Sequence, residues 1–286
     1  MLLRDMAFHG KDGLLDKVNL VLIPILSVDG HERASAYSRP NQRGPRIQGW
    51  RNTATNQNLN RDFMKLDQPE MRALKRLQTK YKADLYVDVH VTDGLDYQYD
   101  VTYGFNGENG VWSRSPAIAQ WLDDVLKPTM NASLEAEGHI PGELVFGVDD
   151  QNPKAGFNDG GLGERFSNGW GAAAHVPTIL IENHSLKPHA QRVLGTYVFI
   201  ETALKLLAEK GGELRAAIAA VIGAVAGGLA GAAAEEGVTR KQGVEVTLKM
   251  DNGELLAVTQ EDGGENFQPG ERVRLLQDGG TTRVTR

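Results

Sequence analysis

Three short apolar runs stand out from an otherwise polar chain. Val18-Asn19-Leu20-Val21-Leu22-Ile23-Pro24 and Thr178-Ile179-Leu180-Ile181-Glu182 are nearly continuous, which predicts strands buried on both faces. Leu85-Tyr86-Val87-Asp88-Val89-His90-Val91 alternates, which predicts a central strand with a polar tip. Between these runs the apolar spacing turns helical. Pro69 opens a helix through about Tyr81, with Met71, Leu74 and Leu77 on one face. A second runs from Pro116 to about Leu134, kinked near Pro128, and a third from about His189 to Lys210 carries Val193, Tyr197, Ile200, Leu204 and Leu207 on one stripe. Strands alternating with helices predict an α/β fold with a mostly parallel (mixed) sheet flanked by helices. The segment before Val18 reads as the end of an amphipathic helix and a turn.

The polar stretches differ in kind. Residues 27–62 are rich in Asn, Arg, Gly and Pro without any sustained period, and a loop that long inside a compact domain is expected to carry function. Residues 138–176 are Gly-rich, with a further loop from Asp149 to Asn168. After Lys210 comes the uncharged run Ala216–Ala234, in which Gly223, Gly227 and Gly231 recur every fourth residue, a spacing that lets two helices approach closely. Two readings stand level for it: a packed Ala-rich helix, or a contact with membrane or with another copy through residues 216–234. The tail then alternates over Val244–Met250 and Glu254–Gln260 about the turn Asp251-Asn252-Gly253. A second pair, Gly270–Leu276 and Thr281–Val284, flanks Asp278-Gly279-Gly280, so a small antiparallel β unit is expected.

Composition narrows the chemistry. With no cysteine among 286 residues, thiolate metal sites, disulfides and a cysteine nucleophile are excluded, so any metal must be held by His, Asp or Glu. A net charge of −6 gives no electrostatic footprint for nucleic acid. Charges at Arg4, Asp5, Lys11 and Asp12 interrupt any signal-peptide core at the N-terminus.

Four stretches carry potential chemistry: the turn Ser27-Val28-Asp29-Gly30; Gly49-Trp50-Arg51 leading into Asn58-Leu59-Asn60-Arg61-Asp62; Asp88-Val89-His90; and Leu180-Ile181-Glu182-Asn183-His184. In that order they resemble the zinc carboxypeptidase family over about residues 1–210. The resemblance implies a peptide substrate with a free C-terminus and a Zn2+ cofactor. It implies His90 as a metal ligand, Asn60 and Arg61 as the grip on the terminal carboxylate, Arg51 as oxyanion stabiliser and Glu182 as general base. Residues 218–286 are similar to glycine-zipper outer-membrane lipoproteins of the SlyB type, and with them the resemblances favour a cell-envelope or periplasmic location. The residue types suit those roles. A guanidinium beside an amide matches a carboxylate geometrically, and Asp88 shares a strand face with His90, where it can orient the imidazole. Each residue also has a plainer reading as a solvated arginine, a loop cap, a hydrogen-bonded histidine or an edge carboxylate; their conjunction carries the expectation. His9 is read as a solvated turn residue and His184 as a loop hydrogen-bonder.

One departure matters. The family's His-x-x-Glu pair occurs nowhere in this sequence, which leaves His90 alone where a catalytic zinc uses three protein ligands. The sequence therefore predicts weak zinc binding and impaired hydrolysis, in either a piece of a longer enzyme or a rearranged chain. Ser27 also replaces the Asn usual in the family's turn. The rival readings are a non-catalytic binder of peptide C-termini, an envelope-associated structural protein with a glycine-zipper anchor, and an amidohydrolase acting on N-acylated amino acids. The expected organisation is a partial carboxypeptidase-like domain over 1–211, a glycine-zipper helical segment over 212–237 and a small β-rich module over 238–286.

Overall fold

A computed structural model of the chain describes all residues except 108–114, 150–151, 160–161, 240–242, 262–264, 266 and 279–280. The chain forms two compact units, Met1–Ala224 and Val225–Arg286. The first is mixed α/β. Its sheet runs in the order β1 (Tyr86–Val91), β6 (Thr178–Asn183), β2 (Val101–Gly104), β3 (Pro141–Glu143). Strands β1 and β6 are parallel, β6 and β2 antiparallel, β2 and β3 parallel, so the sheet is mixed.

Alternation along β6 divides the two faces. Ile179 and Ile181 are fully buried with Val101, Tyr103 and Phe199 beneath three helical segments: α4 (Pro116–Trp121), α5 (Lys127–Ala136) and α7 (His189–Thr239). On the opposite face, Leu59 and Phe63 form a second cluster with Tyr86 of β1, Met71 and Leu74 of α3 (Pro69–Tyr81) and Trp170 of α6 (Ser167–Ala173). With both faces covered, β6 has no polar side, which is why its sequence is apolar almost throughout. A π-helical turn, Leu122–Leu126, joins α4 to α5. Pro128 lies two residues past it; it lacks the amide that a regular helix would use at that point, and the extra residue in the turn accommodates the loss.

Three expectations are corrected. Residues 18–24 form no strand; Val21 and Leu22 are about half exposed, at 45% and 50%. Strand β1 lies at the sheet's edge rather than its centre. The Ala-rich run is no separate helix, since α7 continues unbroken from His189 to Thr239. Among the described residues no helix is long and apolar enough to cross a membrane. A side chain at Gly223 would meet nothing within 4 Å, and the surroundings of Gly227 and Gly231 lie outside what is described.

A short helix, α1 (Leu2–Phe8), precedes this domain's loops, and His9 pairs with Asp5 at 2.7 Å. The Ser27 turn forms α2 (Val28–Glu32) and sits directly on the Trp50 backbone. A Cβ on Gly30 would lie 2.5 Å from the Trp50 carbonyl oxygen, so only glycine permits that approach, and the Trp50 amide donates to the Gly30 carbonyl at 2.7 Å. Residues 138–176 also contain a small ribbon of β4 (Val145–Gly147) and β5 (Phe157–Asp159).

The second unit contains two antiparallel pairs, β7 (Gly243–Lys249) with β8 (Leu255–Glu261) and β9 (Arg274–Asp278) with β10 (Thr281–Thr285). Val258 and Val284 are buried there, and the Gln260 side chain bonds both backbone polar groups of Val284. The predicted turn glycines Gly279 and Gly280 lie outside the described residues.

Candidate functional site

The site forms on the α3/α6 face, at the ends of β1 and β6. His90 and Glu182 are partners in the parallel ladder, so their side chains stand side by side about 5 Å apart at the backbone. Asp88, two residues before His90, projects on the same face, with its Oδ2 2.8 Å from His90 Nε2. Both are largely covered. Burial works against the charge on His90, but the Asp88 carboxylate outweighs it and raises the imidazole to about 9. Burial likewise opposes the charge on Asp88, yet the imidazolium holds that carboxyl below its ordinary value. Glu182 lacks a matched partner: burial lifts it to about 7, with His90 pulling down and Asp93 and Asp88 pushing further up.

Three buried oxygens on this floor, Asp88 Oδ2, Glu182 Oε2 and Ser167 Oγ, have no aligned hydrogen bond. The close approach of Asp88 to His90 is thus an ion pair of poor hydrogen-bond direction, and the attraction we attribute to it is Coulombic.

Asn60 ties the floor to the long loop. It lies in a single 3-10 turn, Leu59–Arg61, capped by the Asn58 side chain. Its Nδ2 is 3.4 Å from His90 Nε2 and its Oδ1 accepts from the Ser167 amide at 3.4 Å. Asn60 thus faces inward, whereas Arg61 faces out: its Nη1 donates to the Asn60 carbonyl at 2.7 Å and its guanidinium lies over the Phe166 ring, 4.3 Å from the centroid. That cation–π contact favours the guanidinium's position while leaving it exposed. Arg51 Nη2 reaches Asp93 Oδ2 at 3.1 Å. Partial burial, and then the repulsion of Arg51 and Arg165, lower the Arg61 pKa, while Asp93 and Glu182 oppose the shift.

All five residues anticipated from the sequence are therefore brought to one place: His90, Glu182 and Asn60 on the floor, Arg51 and Arg61 on the rim. His184 is elsewhere. It is fully buried, bonded to the Tyr97 backbone and to the Leu186 amide. Residues that the sequence did not single out are Arg39, Asp93, Ser167, Phe166 and Tyr97, whose phenol is raised by burial and by Glu182. Asp93 alone had a legible signal, an acidic residue just past the tip of an alternating strand.

His90 and Asp88 engage each other, and among the described residues no group of three His, Asp or Glu side chains gathers as a metal would require. No family model, no curated protein and no solved structure matches the chain.

Proposed function

We propose that this chain is a carboxypeptidase-like protein that binds the free C-terminus of a peptide and hydrolyses it poorly or not at all. The observation that carries this reading is a rim of exposed guanidiniums, Arg51 and Arg61, above a floor whose imidazole is committed to a carboxylate. Arg61, seated over the Phe166 ring, offers a fork of donors to a carboxylate, and such charge-assisted bidentate pairs are among the stronger hydrogen bonds available. Asn60 supports the floor, so carboxylate recognition falls to the arginines.

Turnover needs more than this. Glu182, at about 7, could accept a proton from water near neutral pH, and Arg51 could face a developing oxyanion. Neither group polarises the scissile carbonyl before attack or acidifies the water, which is what three-ligand zinc supplies in the family this chain resembles. Binding without rapid cleavage follows.

The test is direct. A fluorescent peptide with a free C-terminus should bind the full chain, and its C-terminal amide should bind at least about 10-fold more weakly, the worth of one charged hydrogen bond. Equal binding of the two peptides removes this reading. Release of free amino acids from the same peptide in excess zinc would restore the enzyme instead.

A further inference from the structure

The loop that carries Asn41 and the turn that carries Arg51 converge on one residue. Asn41 Nδ2 donates to the Asp93 carbonyl at 2.8 Å, and Arg51 Nη2 reaches the Asp93 carboxylate at 3.1 Å. The Arg43 amide donates to the Ser185 carbonyl at 2.8 Å, pinning the same loop just beyond β6. Arg39 lies on this pinned loop, two residues before Asn41.

Its guanidinium is only partly exposed and makes no hydrogen bond or ion pair among the described residues. Partial burial and then Arg51 lower its pKa, while Asp93 and Glu182 oppose the shift, which sets it in the same electrostatic neighbourhood as Arg61. Arg192, more deeply buried, instead donates its Nη2 to two backbone carbonyls, of Arg43 and Gly44, while its Nε finds no partner. A partly desolvated cation that finds no protein partner is costly, unless an anion arrives.

The balance of charge points the same way. The arginines gathered here are four, Arg39, Arg51, Arg61 and Arg165, against the two carboxylates that act on them, Asp93 and, from the floor, Glu182. On the floor, Asp88 and His90 neutralise each other. One ligand carboxylate would leave the rim with a positive excess, and a second would balance it.

We propose that this site selects peptides whose last residue carries two carboxylates, the terminal one held by Arg61 and Arg51 and the side-chain one by Arg39. The inference rests on the C-terminal reading above and deepens it: it names the residue class at the end of the peptide and the arginine that reads it.

The experiment compares four labelled peptides of one sequence that end in Glu, Gln, Ala or Glu α-amide, titrated with the full chain by fluorescence anisotropy. The Glu peptide should bind about 10-fold more tightly than its Gln isostere, since only the side-chain charge differs. In Arg39→Gln, confirmed folded by its thermal midpoint, the Glu-to-Gln affinity ratio should fall to about one. Equal affinity for Glu and Gln ends, or a preference that survives Arg39→Gln, overturns the assignment. If those two bind equally and the α-amide binds much more weakly, the dicarboxylate inference alone has failed. If the α-amide binds as well as the free acid, the C-terminal reading has failed with it.

Discussion

Floor and rim are close enough to act on each other's charges yet solve opposite electrostatic problems. On the floor, Asp88, His90 and Glu182 are held by adjacent strands beside Asn60 and Ser167, and the imidazole spends its charge on Asp88. On the rim, Arg39, Arg51 and Arg61 ride on an irregular loop, face solvent at least in part, and outnumber the acids near them. Strand geometry places the floor charges without choice, and each shifts its pKa in response. The rim arginines keep their charge whatever their surroundings and are free to spend it on a ligand. Burial therefore makes the floor a determinant of stability, and exposure makes the rim a determinant of binding.

The largest test of that division is Asp88→Asn. It strips the imidazolium of its partner, and should cost about 2–3 kcal/mol of unfolding free energy at neutral pH, less than breaking a buried pair usually does, because His90 can release its proton. Urea titration checks it; an unchanged midpoint would mean the pair is not stabilising. Arg61→Ala should do the reverse, weakening peptide binding by roughly 10- to 30-fold while moving unfolding free energy by less than about 0.5 kcal/mol. A large stability loss there would merge the two regions. A third test concerns pH. Glu182 titrates at about 7 in the folded chain against 4.5 ordinarily, so the native state keeps a proton that the unfolded chain has released. Its contribution should thus be unpenalised below 4.5, decline as pH rises towards 7 and level off above it. Glu182→Gln should flatten that decline in a series of urea titrations across the interval.

The floor was legible in sequence because strands have a period. Asp88 and His90 two apart, and an acid ending an apolar run at Glu182, fix faces without knowledge of the fold. Arg39 was not legible, since residues 27–62 have no period and its place depends on Asn41 meeting Asp93 across 52 positions. The helix over Pro69–Tyr81 follows from its apolar stripe with proline at the first turn. The first apolar run shows the limit of pattern alone. Residues 18–24 and β6 look alike as strings, but β6 lies between β1 and β2, whereas the earlier run finds no strand to pair with. Hydrophobicity supplies a reason for burial and says nothing about which neighbour will accept the backbone hydrogen bonds.

Strand β1, paired on one side only among the described residues, has a practical consequence. Its outer margin offers free peptide groups next to Val89, 46% exposed, and a groove of about 440 Å³ shared with Leu20, Leu22 and Val193. Such a margin is adhesive, and a concentrated solution of this chain should be prone to stacking molecule onto molecule through extended segments. A lysine in place of Val89 would act there as a gatekeeper and keep the protein dispersed.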